Sequence, residues 1–159
     1  MGKYGGLYMD VTSQWDCPSM TDQTEVEAVR RLRFKLPIAY TEILRDKNGG
    51  LLNRTHFPLH IAHMETQARI QVLFGLGGTH GMDADKDGST WSDWFIGQWD
   101  YPQNCIVFSQ FGAAGWLLQY DSDDLIVEPR VVHAYCDCID GPLLTAVSDN
   151  FEAFVSQLR

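Results

Sequence analysis

The chain reads as an α+β domain: a mostly antiparallel central sheet, with helices at both ends of the sequence packed against it. Three observations predict this. Helix-like patterns cluster between Asp22 and Gly50 and return after Asp149, alternating apolar runs fill the interval, and no repeat, low-complexity stretch or linker divides the 159 residues. A chain of this length hides enough apolar surface for a core without disulfides. The expected organisation is an N-terminal extension over 1–20 followed by one domain over 21–159.

The extension is irregular, but Tyr4, Leu7, Tyr8 and Trp15 give it apolar side chains to lay on the body. A first helix is expected from Asp22, with Glu25 completing an acidic capping box. Its buried face would be Val26, Val29 and Leu32, with Phe34 and Leu36 beyond, and its solvated face Arg30, Arg31 and Arg33. The segment LPIAYTEILRDKNGG, Leu36 to Gly50, is a second helix signal. Pro37 suits the first helical position, where a missing N–H costs nothing. Ile38, Ile43 and Leu44 form an apolar stripe, with Tyr40 on an adjoining face. Asn48, Gly49 and Gly50 are expected to stop the helix, since Asn and Gly tolerate a left-handed C-cap.

Beyond Gly50 the texture changes. Phe57 to Met64 reads as a short strand or loop. The alternation of Ile70, Val72 and Phe74 predicts a strand over Arg69–Leu76, ended by Gly75, Gly77 and Gly78. Residues 77–90 are expected to be loop, and Trp91–Trp99 a short helix whose aromatic content says that it packs on something. Cys105–Phe111 and Trp116–Tyr120, joined by Gly112-Ala113-Ala114-Gly115, form a β-hairpin. An acidic turn at 121–124 precedes a further strand over Arg130–Cys138. Asp149 and Glu152 are expected to cap a last helix that buries Phe151, Phe154, Val155 and Leu158.

Charge is uneven. Through residue 80 the net charge is +1; from residue 81 onward only Lys86, Arg130 and Arg159 oppose thirteen Asp and Glu, a net of −10. That half would repel a phosphate backbone, so nucleic acid is not an expected ligand. A basic protein partner would be attracted and steered. No apolar run approaches the roughly 20 residues that span a bilayer. No export signal is visible at the N-terminus, so the expectation is a cytoplasmic protein with reduced thiols at Cys17, Cys105, Cys136 and Cys138.

Two constellations suggest metal chemistry and both are incomplete. Asp83, Asp85, Asp87 and Gly88 match the first half of an EF-hand loop. The second half fails, because Trp94 stands where a bidentate Glu is needed. His56, His60 and His63 are interrupted by Pro58, so no helix aligns them. No nucleophile motif or phosphate-cradling glycine loop is present. Neither a catalytic residue nor a cofactor is expected.

The Leu36-Pro37 step, Tyr40, the Asn48-Gly49-Gly50 terminus, the hairpin ending in Tyr120-Asp121 and the Phe151-x-x-Phe154 helix occur in an order that resembles the SUKH superfamily, the Smi/Knr-like proteins. The likeness covers Asp22 to Leu158. The first 20 residues, and a longer and more aromatic stretch from Gly75 to Trp99, depart from it. The resemblance implies a non-enzymatic protein-binding domain. Bacterial members are mostly immunity proteins that neutralise a cognate toxin inside the producing cell; fungal members are regulatory scaffolds. The first expectation is therefore an immunity protein that occludes a basic toxin domain, and the alternative a regulatory adaptor without a toxin. Asp121, Asp123, Asp124 and Glu128 are the candidate partner contacts, with Asp83, Asp85 and Asp87 beside them and Trp91 and Trp94 as anchors. The competing reading of those Trp residues is packing on the domain's own sheet. Leu36, Pro37, Tyr40, Asn48, Gly49, Gly50, Phe151 and Phe154 are structural members of the signature.

Overall fold

The computed structural model describes residues 3–61, 64–121, 128–136 and 139–159. The chain is α+β. Its centre is an antiparallel sheet of β7 (Cys105–Phe111), β8 (Ala114–Gln119), β9 (Arg130–Tyr135) and β10 (Leu143–Ser148), in the spatial order β10-β9-β8-β7. Ahead of it come α1 (Asp22–Leu32), α2 (Ile38–Asp46), β1 (Gly50–Leu51), β2 (His56–Ile61), β3 (Met64–Arg69), β4 (Val72–Leu73), β5 (Asp85–Lys86), β6 (Ser89–Thr90) and α3 (Trp91–Trp99). Helix α4 (Phe151–Ser156) follows it. Among the described residues, three two-stranded ladders, β1–β4, β2–β3 and β5–β6, accompany the main sheet.

The core is aromatic where the chain ends meet. Phe151 of α4 packs on Phe108 and Tyr40, and Phe154 on Phe108, Phe57 and Trp116. All of these rings are buried. Two carry a polar atom, and both are satisfied: Tyr40 Oη donates to Phe74 O at 2.7 Å, and Trp116 Nε1 to Arg69 O at 3.1 Å.

The helical hairpin forms with its details altered. The cap of α1 is Thr21, whose side chain accepts from Thr24 N while Thr24 Oγ1 accepts from Thr21 N. A hydroxyl pair thus fills the role expected of Asp22 and Glu25. The buried face of α1 is Ala28 and Leu32, one turn apart, and Val26 is 62% exposed because it lies about 200° round from Ala28. The same angle separates Ile38 from Tyr40 and leaves Ile38 exposed; α2 buries Ala39, Tyr40, Thr41, Ile43 and Leu44 instead. Pro37 is the N-cap residue. The C-cap is Lys47, in extended conformation, so Asn48, Gly49 and Gly50 do not cap the helix.

The expected strand over 69–76 is divided. Ile70, Val72 and Phe74 are all buried, as their alternation requires, but their neighbours change. Arg69 ends the ladder with β2, Val72 and Leu73 pair with β1, and Phe74 N donates to Phe108 O on β7. Within 77–90, expected to be loop, β5 and β6 form a tight hairpin around Asp87 and Gly88, at φ 53 and 90. Asp-Gly is a strong signal for that turn. Strand β10 was not expected, and β9 stops at Tyr135; Cys138 lies outside the described residues. The cap of α4 is Asn150, which accepts from Ala153 N at 2.8 Å, rather than Asp149.

Residues 3–20 lie on the body. Leu7 is buried, Tyr8 bridges Leu52, Met9 N donates to Leu51 O, and Cys17 N donates to Asn48 O.

Candidate functional site

The aromatic stretch that begins α3 makes the most distinctive corner of the surface. Thr90 Oγ1 caps the helix by accepting from Asp93 N at 3.0 Å. The 3.6-residue period then sets Ser92 and Ile96 inward, leaves Phe95 at the flank against the core, and turns Trp91 and Trp94 toward the outer side. Ser92 Oγ accepts from Val107 N at 2.9 Å and ties the helix to β7. Phe95 stacks on Phe74, with ring centroids 5.8 Å apart.

Trp91 and Trp94 are half-buried. They meet edge to face, with centroids 5.8 Å apart, and Lys86 Nζ sits 5.1 and 5.2 Å from their centroids. Trp91 Nε1 donates to Thr79 O, and the His80 ring lies along Trp91. Both tryptophans are therefore fixed by their own chain while keeping part of each ring in solvent.

The carboxylates around this corner are largely engaged. Asp83 is buried and accepts from Gly77 N at 2.7 Å. Asp85 lies 3.9 Å from Arg31, Asp87 3.6 Å from Lys86, and Asp93 2.9 Å from Arg33. The half EF-hand pattern is thus a hairpin whose acids point to three different partners. Among the described residues no cluster of three His, Cys, Asp or Glu could hold a metal ion.

The end of α1 links this corner to the second acidic region. Phe34, next to Arg33, stacks on Tyr120 at 4.4 Å between centroids, and Tyr120 Oη donates to Lys35 O. Asp121 follows immediately and is exposed. Glu128, also exposed, returns toward β9. Neither forms an ion pair among the described residues. Asp123 and Asp124 lie outside the described residues. Other acids of the same half stand elsewhere, with Glu152 paired to Lys3 on α4.

Burial pushes the Cys17 thiol up to about 11 and Cys105 to about 12, so both are protonated and weakly nucleophilic. His133 is buried against Trp116 and is pushed down to about 4 by that burial. His56 and His60 are exposed on β2, and His63 is outside the described residues. His60 faces Glu65 across the β2–β3 ladder, in an open hollow of about 430 Å³ lined also by Thr66, Gln67 and Arg159.

Leu36, Pro37, Tyr40, Asn48, Gly49, Gly50, Phe151 and Phe154 are all buried. Asn48 Nδ2 donates to Pro18 O and Leu76 O, while Oδ1 accepts from Leu76 N. Gly49 lies against Gly75: a Cβ on either would fall within 2.7 Å of backbone. Among the described residues no helix is long and apolar enough to cross a membrane.

The model of the SMI1 / KNR4 family (SUKH-1) matches residues 20–157. No curated protein and no solved structure matches the chain.

Proposed function

The chain belongs to the SMI1 / KNR4 family (SUKH-1), and we propose that it works by binding another protein, as an immunity protein that occludes the basic cleft of a cognate toxin. The observation that carries this reading is the family match, which takes in nearly the whole chain. Surface chemistry supports it. The net charge is −9, and Asp121 and Glu128 are exposed carboxylates that no cation of the chain neutralises among the described residues. Such groups attract a basic partner and raise its association rate. Asp123 and Asp124 extend the same stretch in sequence. Trp91 and Trp94 are the proposed anchors, since a pre-ordered tryptophan loses little side-chain entropy on docking.

The engaged acids refine the proposal. Asp85, Asp87 and Asp93 already share cations with Lys86, Arg31 and Arg33. They serve as a polar rim around the tryptophans, and the segment from Asp121 to Glu128 supplies the steering charge. The function proposed is non-catalytic, intracellular and independent of any cofactor.

The test is affinity capture with the full chain as bait in extracts of its native cell, at low and high salt, with identification by mass spectrometry. The expected catch is a toxin domain of basic charge, weakened by salt and by the pair Asp121→Lys and Glu128→Lys. A partner held equally well by that pair overturns the charge mechanism. A specific partner with no toxic activity selects the Smi/Knr-type regulatory scaffold instead.

A further inference from the structure

The two edges of the main sheet differ. On the β7 side, Phe74 N donates to Phe108 O and Ser92 Oγ accepts from Val107 N, so neighbouring elements use that edge. On the other side, among the described residues, β10 pairs with β9 alone. Among the described residues, the backbone of Leu143–Ser148 makes no hydrogen bond outside that ladder. Every second residue of a strand aims its N–H and C=O away from its neighbour, so an outer row of donors and acceptors is left to solvent.

Natural edge strands are usually guarded by charge, proline or a covering element. Here LLTAVS carries neither charge nor proline. Leu143 and Leu144, on opposite faces, are 47% and 39% exposed. Leu143 also continues a row across the sheet: Phe111 opposes Ala114, Ala114 opposes Tyr135, and Tyr135 opposes Leu143. Phe111 and Tyr135 are themselves exposed large side chains. A strand added beside β10 would extend that row and shield the flank of Leu143. Among the described residues, the strand itself is guarded by a register shift between Ala146 and Ser148, which confines regular pairing to Leu143–Ala146.

We propose that the outer edge of β10 is a strand-pairing site for an extended segment of a partner protein, with apolar residues in its centre and Lys or Arg at its ends. The flanking charge selects this occupant. Exposed Asp140 and Asp149 bracket the neutral strand, and the nearby Arg130 is hydrogen-bonded to Gln119 Oε1. Cationic ends meet those carboxylates, while backbone pairing supplies affinity without a fixed sequence. A second copy fits less well. Antiparallel self-pairing over the whole strand sets Asp149 of each copy opposite Pro142 of the other, two residues from Asp140, so like charges converge at both ends.

The inference is independent of the toxin assignment, and its test needs no native partner. Amide hydrogen exchange of the full chain would be followed by NMR with a synthetic peptide of alternating Val and Thr between paired lysines. The comparison peptide has the same centre between paired glutamates. The lysine peptide is expected to slow exchange about tenfold or more at the outward amides of Leu143–Ala146. Leu144→Lys and, separately, Ala146→Lys should abolish the slowing while leaving exchange in β7 and β8 unchanged. No slowing in β10, equal slowing by the glutamate peptide, or undiminished slowing in both lysine variants overturns the proposal. Protection that rises with protein concentration alone overturns it too, in favour of a second copy. Failure here leaves the capture experiment untouched, and the reverse also holds.

Discussion

Asn48 grips Leu76 through both of that residue's backbone groups: Nδ2 donates to Leu76 O at 2.8 Å, and Oδ1 accepts from Leu76 N at 2.9 Å. A side-chain amide here does what a neighbouring strand would do. It joins the end of α2 to the segment after β4 and, through Pro18 O, to the N-terminal residues.

Replacing Asn48 with Ala leaves Leu76 N, Leu76 O and Pro18 O without that partner. We expect a loss of about 2–3 kcal/mol in urea denaturation. Asn48→Asp should cost more, because a carboxylate oxygen would then face the Leu76 and Pro18 carbonyls.

Glycines separate just as sharply by surroundings. A Cβ on Gly75 would lie 2.6 Å from both Asn48 O and Asn48 Oδ1, and that side-chain oxygen is held in place by Leu76 N. Gly75→Ala is expected to destabilise by about 2 kcal/mol or more. Gly97, inside α3, meets nothing within 4 Å, and Gly97→Ala should stabilise by about 0.5–1 kcal/mol. Thermal and urea unfolding of the two variants should move in opposite directions.

The Thr21–Thr24 pair makes a third prediction. Thr21→Ala removes the acceptor for Thr24 N and should cost about 1 kcal/mol, with the loss read from the urea midpoint. Asp22→Ala leaves the cap intact. Its exposed ion pair with Arg45 is worth less than the cap, because solvent screens it.

Acid sensitivity should carry a histidine component. His133 is held near 4 in the folded chain by burial, against an ordinary value of about 6.5. Between those values the unfolded chain binds a proton that the folded chain refuses. Stability from this group is therefore complete above about pH 6.5, falls as the pH drops toward 4, and levels off below it. The amplitude is of order 3 kcal/mol. His133→Gln should flatten that part of the stability profile; an unchanged slope between pH 6.5 and 4.5 would remove His133 as its source.

Some elements were legible locally. The Phe151-x-x-Phe154 helix, the Cys105–Phe111 strand and the Trp91–Trp99 helix each carry their period in their own residues, and all three occur. Burial at Ile70, Val72 and Phe74 was equally legible. Their division among three partners was not, because alternation encodes which side faces the core and is silent about the neighbouring strand. The Asp87-Gly88 turn had its signal, which the carboxylate spacing of Asp83, Asp85 and Asp87 obscured. Strand β10 had little to betray it, since an edge strand with both faces partly wet loses the contrast that marks a buried one.

By itself, the sequence determined an α+β domain with two helices near its start, a third ahead of the hairpin and one at its end, a surplus of acid in its second half, and the residues that identify its family. These follow from local periodicity, composition and short spacings. Tertiary structure decided what those residues do. Asn48 is a clamp between the end of α2 and the segment after β4 because Leu76 arrives beside it, 28 residues later. Asp85 and Asp93 are neutralised because the end of α1 delivers Arg31 and Arg33 to them. Hydrogen bonds need donor and acceptor within about 3.2 Å and contact ion pairs need charges within about 4 Å, and which groups come that close depends on how the whole chain packs.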